Sequence, residues 1–398
     1  MKERVVVQAC RADTPSDEVA TRVYESIDDA IRDPEKLASA KKVLVKPNFG
    51  TQRMDVFRER PTTVVDPDVF EGVSRYLREH TDAEILYGDG MVGIDISKAM
   101  EERGYAAIAE KYRMRLVDMH AEPYSEFPVP EPAMFRRYTL SSALNHIDFV
   151  VSVAKMKSHH LCGVTLSQKN LFGIPPGPVY GSPRITLHSA IRLPLLLVDL
   201  TGLFPPDLCV IDGIIGGNFS EWQGDPVSSG LLLAGTNCVA VDATAARLMH
   251  VDPAASRGTS PFISADNHIR VASEHGLGPV NSEEIEVAGD PPDVTLPYSN
   301  IVFADKAKIA KTNETRKVHC RNAAHYFDRS DTFADQYAGE SLVLHDGEVL
   351  LHEPMCDEYL SNFFAAVRER SLDNYEVFTK LVEQDDPELR APYDIGAG

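Results

Sequence analysis

The chain has 398 residues, of which 43% are hydrophobic and 25% charged, and this composition excludes disorder of the whole chain. Asp and Glu number 60 against 40 Lys and Arg, so the net charge is −20 at pH 7. A surface this acidic repels nucleic acid and anionic membranes, and we expect neither as a partner.

Signals for membrane insertion, secretion and cysteine-bound metals are missing from the sequence. No stretch reaches the ~20 apolar residues that a membrane helix needs. The first ten residues enter a strand pattern directly and lack the apolar region of a secretory signal. The six cysteines form no Cys-x-x-Cys pair. We therefore expect a cytoplasmic protein without a zinc ribbon or an iron–sulfur cluster.

The first 155 residues alternate short apolar runs with amphipathic stretches. The apolar runs predict strands at Val5–Ala9, Lys42–Lys46, Ala83–Tyr87, Arg115–Asp118 and Ile147–Val153. The amphipathic stretches predict helices at Ser16–Arg32, Asp66–Glu79 and Ser97–Tyr112. The proline-containing segment Glu122–Leu140 interrupts this pattern and predicts an edge hairpin. Strand–helix alternation of this kind predicts a layered α/β fold with a largely parallel sheet.

A second alternating block and a less regular C-terminal region follow. The block predicts strands at Leu208–Asp212, Gly230–Ala234 and Ile285–Ala288, and helices at Ser189–Asp199, Cys238–Met249 and Ile263–His275. Further on, the sequence predicts a hairpin at Ser341–His352 around Asp346-Gly347, and helices at Tyr359–Arg370 and Tyr375–Val382. The acidic residues 371–398 predict a solvated surface or a frayed end. We expect residues 1–155 and 156–305 to form two α/β lobes with a cleft, and residues 306–398 to form an α+β extension.

The segment 155–177 is the richest in side chains that carry chemistry. It follows a buried strand, and the carboxyl ends of strands are where open α/β sheets bind ligands. Lys155 and Lys157 are candidate contacts for an anionic substrate, because they stand out in so acidic a chain. His159 and His160 are candidate metal ligands, since imidazole is the commonest metal ligand in proteins. The alternative is a basic loop that precedes a capped helix.

Other polar side chains follow the neighbouring predicted strands. Lys46 and Asn48 suit a carboxylate or a phosphate, and the alternative is a turn in which Pro47 sets φ. Asp89 is a candidate ligand for a metal, a hydroxyl or a lysine, or part of a plain glycine-rich turn. Asp212 precedes glycines that let a ligand approach the backbone closely, and it is a further candidate metal ligand. If the strands are parallel, these residues lie along one cleft.

Lys169 and Asn170 lie within an apolar helical pattern. Lys169 is either a snorkelling surface residue or a partly buried cation that binds an anion or acts as a nucleophile. Asn170 is a candidate substrate contact. His188 is a candidate acid, base or ligand, with a plain position at the start of a helix as the alternative. Asp242 stands alone among apolar neighbours, and either structural hydrogen bonds or a role in the site would explain it.

Several motifs occur in an order that resembles a known family. They are Val43-Leu-Val-Lys-Pro-Asn48, Gly88-Asp-Gly90, Val151-Ser-Val-Ala-Lys-Met-Lys-Ser-His159, Gly163-Val-Thr-Leu-Ser-Gln-Lys-Asn170 with Phe172-Gly173, Asp212-Gly213, Gly235-Thr-Asn-Cys-Val-Ala-Val-Asp242 and Gly276-Leu-Gly278. On these motifs the chain is identified as a member of domain-of-unknown-function family 362. The resemblance marks the shared residues as the site and confers no activity. Some members carry a ferredoxin-like module, for which this chain lacks the cysteines, and Asn237 stands where the family usually has Asp.

A shorter segment resembles the nickel-pincer lactate racemases. In that family a His is followed about ten residues later by the Lys that carries the pincer cofactor, and later by a metal-ligating His. His159, Lys169 and His188 match this order, although Ser-Gln precedes Lys169 where that family has a glycine-paired turn. The resemblance implies that Lys169 anchors a cofactor or binds an anion. It also implies that His159 and His188 ligate a metal or move protons.

These observations predict an enzyme for a small anionic substrate, a carboxylate or a phosphate. The expected chemistry is metal- or cofactor-assisted movement of a proton or a hydride, as in isomerases, epimerases and lyases. We expect Lys169 and His159 to act together in it. The alternative is a non-catalytic protein that holds a metal, a cofactor or a small ligand for another enzyme. The cofactor is unknown, a divalent transition metal is the candidate, and a homo-oligomer is left open.

Overall fold

The computed structural model describes residues 2–50, 54–91, 93–218, 225–291, 296, 298 and 306–396. The strands are β1 (Glu3–Ala9), β2 (Lys42–Pro47), β3 (Val56–Phe57), β4 (Arg60–Pro61), β5 (Glu84–Asp89), β6 (Met114–Asp118), β7 (Tyr124–Pro128), β8 (Arg137–Ser141), β9 (Phe149–His159), β10 (Gly163–Thr165), β11 (Leu208–Asn218), β12 (Asp225–Val227), β13 (Leu231–Gly235), β14 (Ile285–Gly289), β15 (Ser341–His345), β16 (Glu348–Glu353) and β17 (Phe378–Leu381). Most predicted strands of the two alternating blocks are therefore present, and β9 and β11 are longer than predicted.

The helices are α1 (Ser16–Ala30), α2 (Pro34–Ser39), α3 (Pro67–His80), α4 (Ile96–Glu102), α5 (Tyr105–Lys111), α6 (Ser167–Asn170), α7 (Gly177–Tyr180), α8 (Arg192–Leu203), α9 (Cys238–Leu248), α10 (His268–Glu274), α11 (Lys306–Phe327), α12 (Ser330–Tyr337), α13 (Tyr359–Glu369) and α14 (Ala391–Gly396). Within the described ranges, none of them combines the length and the apolar character needed to cross a lipid bilayer.

The central sheet runs in the order β14-β1-β13-β11-β9-β2-β5-β6, and β10 and β12 pair with β9 and β11 beside this path. The strands from β11 to β6 are parallel to their neighbours on the path, as are β1 and β14. β13 runs antiparallel to both β1 and β11. The predicted largely parallel α/β sheet is therefore confirmed. Both alternating blocks supply strands to this one sheet, and the division of the chain at residues 155 and 305 stays a prediction.

Side chains at alternate positions of the central strands enter opposite hydrophobic layers. On β2, Val43 and Val45 belong to a layer that includes Val23 of α1 and Phe70 of α3. Leu44 belongs to a second layer, which includes leucines of α8. Successive side chains of a strand point to opposite faces of the sheet. Both faces of β2 are covered, which explains why its sequence is a continuous apolar run.

Two predicted helices differ from the structure because of local capping. The predicted helix 97–112 is two helices, and Gly104 between them has a φ of +81°, which glycine adopts without a steric penalty. The predicted helix 263–275 is wrong in its first half, since α10 begins only at His268. The side chain of Asn267 accepts hydrogen bonds from the backbone N–H groups of Ile269 and Arg270 and so caps the helix there. Asn237 caps α9 in the same way.

The C-terminal region is packed against the rest of the chain. The predicted hairpin is confirmed as β15 and β16. The predicted helix 375–382 is wrong, because Phe378–Leu381 form β17 and pair with β15. The predicted solvated tail is also wrong. Glu388 is buried and forms ion pairs with Arg192 of α8, at 3.0 Å between Oε2 and Nη2, and with Lys380, at 2.9 Å.

Candidate active site

One cavity of about 450 Å³ opens where β2, β5 and β9 end. These strands are parallel neighbours, so their carboxyl ends lie at one edge of the sheet. Ten of the twelve residues singled out in the sequence line it: Lys46, Asn48, Asp89, Lys155, Lys157, His159, His160, Lys169, Asn170 and His188. The other two are Asp212, which binds Lys155, and Asp242, which binds the start of α6. The structure thus brings the candidates together, while their chemical roles stay predictions.

Lys46 and Asp89 form a buried ion pair in the cavity wall. The Lys46 Nζ lies 2.8 Å from the Asp89 Oδ1. Asp89 also accepts hydrogen bonds from the backbone N–H groups of Phe49 and Gly90. Burial lowers the pKa of Lys46, and the neighbouring Asp89 carboxylate opposes that shift. Of the partners considered for Asp89 in the sequence, the structure therefore gives it a lysine.

Asn170 fixes the strand end that carries Lys46. Its Nδ2 donates to the carbonyl of Lys46 at 2.7 Å and to the hydroxyl of Ser152 at 3.1 Å. Its Oδ1 accepts a hydrogen bond from the Lys46 Nζ at 3.3 Å. The side-chain amide thus connects α6 to both β2 and β9. Asn170 positions the lysine and also lines the cavity.

Lys155 forms a second buried ion pair, with Asp212 of the neighbouring strand. The two side chains are 2.8 Å apart and fully buried. Asp212 also accepts the backbone N–H of Asp66 at 2.8 Å. Burial raises the pKa of Asp66 to about 6, and the negative charge of Asp212 adds to that shift. Asp212 thus links β9, β11 and the start of α3, directly behind Lys155 of the cavity lining.

Lys157 donates hydrogen bonds to two uncharged oxygen atoms in the cavity wall. The Nζ of Lys157 donates to the Oδ1 of Asn48 at 3.0 Å and to the carbonyl of Thr63 at 2.8 Å. These two acceptors are neutral dipoles, so neither cancels the charge of the ammonium. Asn48 is half-buried and faces the same cavity. This pair therefore places a lysine and an amide side by side in the cavity wall.

Lys169 lies on the short helix α6, which a buried carboxylate holds in place. Asp242 accepts hydrogen bonds from the backbone N–H groups of Ser167, at 2.8 Å, and Gln168, at 2.9 Å. Burial raises the pKa of Asp242 to about 7, although these N–H groups favour the ionised form. Lys169 is half-buried, and its Nζ lies 4.2 Å from the ring centre of Phe172. Asp242 is thus a structural residue directly behind a candidate catalytic one.

Three of the cavity histidines form a cluster. The ring of His159 stacks on that of His160 at 4.8 Å and lies 5.8 Å from that of His188. The Nδ1 of His159 accepts hydrogen bonds from the backbone N–H groups of Leu161, at 3.1 Å, and Cys162, at 3.3 Å. An atom that accepts these bonds carries no proton, so the neutral ring of His159 carries its proton on Nε2.

Among the described residues, the predicted metal ligands are not grouped as a metal site. Asp89 and Asp212 each bind a lysine, and the Nδ1 of His159 is taken by backbone groups. In the part of the chain that the structure describes, no three His, Cys, Asp or Glu side chains are grouped so that they could hold a metal ion. A transition metal needs imidazole or thiolate donors that converge on one point. This donor set does not fit one.

Arg184 was not singled out in the sequence, yet it is central to the cavity wall. Its guanidinium donates to the carbonyls of Gly90, Gly173 and Pro175 and lies 5.7 Å from the ring centre of Phe172. Burial lowers the pKa of Arg184 to about 10, although the negative charge of Asp89 acts in the opposite direction. The surrounding Gly-Pro-rich segment has no periodicity, so no sequence pattern identifies this arginine as buried.

The C-terminal extension supplies one wall of the cavity, which the sequence did not predict. The lining residues from this part of the chain are His319, Leu360, Phe363, Phe364, Asn374, Tyr375, Val377 and Thr379. The Nε2 of His160 and the hydroxyl of Tyr375 are 3.3 Å apart, so the wall contacts the histidine cluster directly. These residues are about 200 positions from the cluster in the chain, and only tertiary packing brings them there.

Positive charge dominates the described lining of the cavity. The cationic side chains are Lys46, Lys155, Lys157, Lys169 and Arg184, whereas Asp89 is the only carboxylate among the described lining residues. The whole chain has a net charge of −20. A positive cavity in an acidic body attracts small anions, and the surrounding surface repels large polyanions.

Parts of this chain are similar to known proteins. It is 27% identical over 245 residues to the thylakoid-associated protein sll1697 of Synechocystis sp. (strain ATCC 27184 / PCC 6803 / Kazusa), an alignment that covers 61% of this chain and 70% of that protein. The lactate racemase apoprotein from Thermoanaerobacterium thermosaccharolyticum superposes with a TM-score of 0.39 and 11% identity, over 63% of this chain and 57% of the racemase. The chain thus spans less than two thirds of the racemase, and the likeness is weak. The family model described as "Domain of unknown function (DUF362)" matches residues 43–247, and the chain belongs to this family.

Proposed function

We propose that this chain is an enzyme that acts on a small carboxylate or phosphate substrate by moving a proton, or by moving a hydride to and from a bound cofactor that accepts it, as isomerases, epimerases and lyases do. The observation that carries the proposal is the charge of the cavity, where five cationic side chains face one carboxylate among the described lining residues. A volume of about 450 Å³ suits a small molecule rather than a polymer.

The lysines of the cavity have different roles in this proposal. Lys46 and Lys155 are each bound to a buried carboxylate, so their charges are largely balanced and both residues shape the cavity wall. Lys169 is half-buried on α6, beside the ring of Phe172. We assign direct contact with the substrate anion, and transfer of its proton, to Lys169.

Two histidines complete the acid–base set. His188 is half-buried near the other rings, and an imidazole side chain can both accept and donate a proton. His159 has its Nδ1 fixed by backbone N–H groups, so its Nε2–H is the group that can donate to a substrate oxygen. His159 thereby polarises the substrate, and His188 and Lys169 move the proton.

A second candidate function is non-catalytic binding of the same anion for another enzyme. The ion pairs of Lys46 and Lys155 favour it, because a salt-bridged lysine stabilises an anion but does not readily give up its proton. Both functions use the same cavity. Binding measurements therefore do not distinguish the enzyme from the binding protein, whereas a measurement of substrate turnover does.

Exchange in D2O tests the proposal across a range of substrates and requires no identified product. The purified protein is incubated with a panel of short 2-hydroxy, 2-amino and phosphorylated carboxylic acids, and proton NMR follows loss of the proton next to the carboxylate. Chiral chromatography of the same samples detects inversion, which also reports a hydride route. Exchange or inversion of at least one acid supports the enzyme. Binding without either reaction supports the binding protein, and neutral amides that bind as well as the acids contradict both.

The predictions on partners and location belong to the same proposal. A net charge of −20 opposes association with nucleic acid or an anionic membrane. We keep a cytoplasmic location and assembly into a homo-oligomer as predictions.

A further inference from the structure

A second cavity, of about 310 Å³, lies beside the first. Its lining consists of Leu161, Ala190, Ile191, Ser264, Lys308, Lys311, Thr312, Thr315, Arg316, His319, Asp373 and Tyr375. Most of these residues come from the first half of α11 and from the segments that face it. None of them was singled out in the sequence, and the function proposed above makes no use of this cavity.

The two cavities are separated by a wall one residue thick. Both are lined by His319 and Tyr375. His160 lines the first cavity and the next residue, Leu161, lines the second. Likewise, Ser189 lines the first cavity and the next residue, Ala190, lines the second. Consecutive Cα atoms are only about 3.8 Å apart. A ligand that passes His319 and Tyr375 can therefore occupy both cavities.

The second cavity has the side chains that bind a phosphate. Lys308 and Lys311 are exposed on one face of α11, and no acidic residue lies in the first turn of that helix. The hydroxyl side chains of Ser264, Thr312 and Thr315 line the same space. Arg316 is already bound to Asp266 at 2.9 Å, and the carboxylate of Asp373 also lines the cavity, so Lys311 is the cation that we assign to a ligand. Ammonium and hydroxyl groups together are typical phosphate donors.

His319, at the boundary, presents an acceptor with no partner. Its Nδ1 lies 2.8 Å from the carbonyl of Val377 and must donate to it, which leaves a lone pair on Nε2. Among the described residues, nothing hydrogen-bonds to this buried Nε2. Burial lowers the pKa of His319 to about 4, with the charge of Arg192 acting in the same direction, so the ring is neutral at pH 7. A buried acceptor of this kind requires a donor, and a ligand hydroxyl supplies one.

We propose that the two cavities bind one ligand, a hydroxylated carboxylic acid with a phosphate at its far end. The carboxylate occupies the first cavity, a hydroxyl of the ligand donates to the Nε2 of His319, and the phosphate binds at Lys311. This inference rests on the proposed function for the carboxylate end only. The phosphate end rests on the second cavity alone.

Calorimetric titration with three probes tests this inference on the full chain. Gluconate has the carboxylate and the hydroxyls, 6-phosphogluconate adds the distal phosphate, and inorganic phosphate has neither chain nor carboxylate. We expect 6-phosphogluconate to bind at least about tenfold more tightly than gluconate or phosphate, because two anionic ends are held together. Lys311→Met should reduce the affinity for 6-phosphogluconate about tenfold and leave that for gluconate unchanged.

Lys317→Met is the matched control, because Lys317 lies on the same helix, pairs with Glu314 at 3.5 Å and does not line the cavity. It should change neither affinity. Equal affinities for gluconate and 6-phosphogluconate, or equal losses in the two lysine variants, would overturn the inference. Tight, Lys311-dependent binding of 6-phosphogluconate without exchange or inversion of any acid would support the inference and reject the enzyme. Exchange of short acids, combined with equal affinities for gluconate and 6-phosphogluconate, would support the enzyme and reject the inference.

Discussion

Lys46 and Asp89 come from the ends of two neighbouring parallel strands and form an ion pair of 2.8 Å, with only 1% and 2% of their side chains exposed. Such a pair must satisfy its charges internally, since water does not reach it. Two backbone N–H groups and the amide of Asn170 do so. The pair therefore joins the ends of the two strands at the edge of the sheet where the cavity opens.

Breaking this pair should destabilise the fold strongly. Asp89→Asn leaves the Lys46 ammonium buried without its counter-charge, and we expect a loss of ~3–5 kcal/mol in the free energy of unfolding. Urea denaturation measures it. Lys98→Met is the control, because Lys98 and Glu102 form an exposed pair of 3.7 Å whose removal should cost less than ~0.5 kcal/mol. Equal losses in the two variants would contradict this picture of the site.

Gly173 is expected to be intolerant of a methyl group. A Cβ at Gly173 would overlap the Asp89 carboxylate and lie 2.8 Å from the Lys46 Nζ. We expect Gly173→Ala to separate the pair, with a loss of about 1–3 kcal/mol in unfolding free energy. Gly202→Ala, on α8 with open space around it, should instead be neutral or stabilise the protein by up to ~1 kcal/mol. Thermal unfolding compares them, and a Gly173→Ala variant as stable as the control would refute the expected clash.

Asp242 should make stability fall as the pH rises. Its pKa in the folded protein is about 7, against an ordinary value of 3.8, so between these pH values the folded state holds a proton that the unfolded state has lost. The free energy of unfolding then decreases by up to ~1.4 kcal/mol per pH unit across this window. Asp242→Asn should remove that slope. The pKa values of Asp66 and Asp199 are also raised, so these two residues contribute a slope of the same sign. The measurement is therefore the free energy of urea unfolding from pH 4.5 to 7.5, compared between Asp242→Asn and the wild type. Identical slopes would exclude this assignment.

Glu388 should hold the C-terminal wall of the cavity in place. Burial opposes its ionisation, but the charges of Arg192 and Lys380 prevail and lower the pKa of Glu388 to about 2. Glu388→Gln leaves two buried cations unbalanced and should cost ~3–5 kcal/mol. Hydrogen exchange should then accelerate in β17 and leave β2 unchanged. Uniform acceleration across both strands would mean that the extension does not open separately.

The fold and one side of the site follow from local patterns in the sequence. The apolar runs that precede Lys46, Asp89 and Lys155 identify buried parallel strands, and the polar residues after them mark the edge where ligands bind. The order of these motifs also identified the DUF362 family. Patterns of this kind are local, since each depends on a few consecutive residues.

The other side of the site depends on contacts that no local pattern encodes. Arg184 follows no periodic element, and Tyr375 reaches the histidines from the C-terminal extension, which Glu388 links to α8. The segment that contains β17 was predicted to be a helix, because its pairing with β15 is invisible in the sequence. The pairing of Asp212 with Lys155 depends likewise on strand register and removed Asp212 from the cavity lining.

The most direct test of the central claim is the reaction of Lys169→Met with the best acid of the exchange panel. If Lys169 transfers the proton, its rate should fall at least ~100-fold. The melting temperature should change by only about 2 °C, since the side chain is half-buried and Met keeps an apolar contact with the ring of Phe172. His159→Asn, which keeps an acceptor for the backbone N–H groups, should lower the rate similarly, and the double variant should be little worse than either single variant. A full rate in Lys169→Met would contradict the proposed enzyme site.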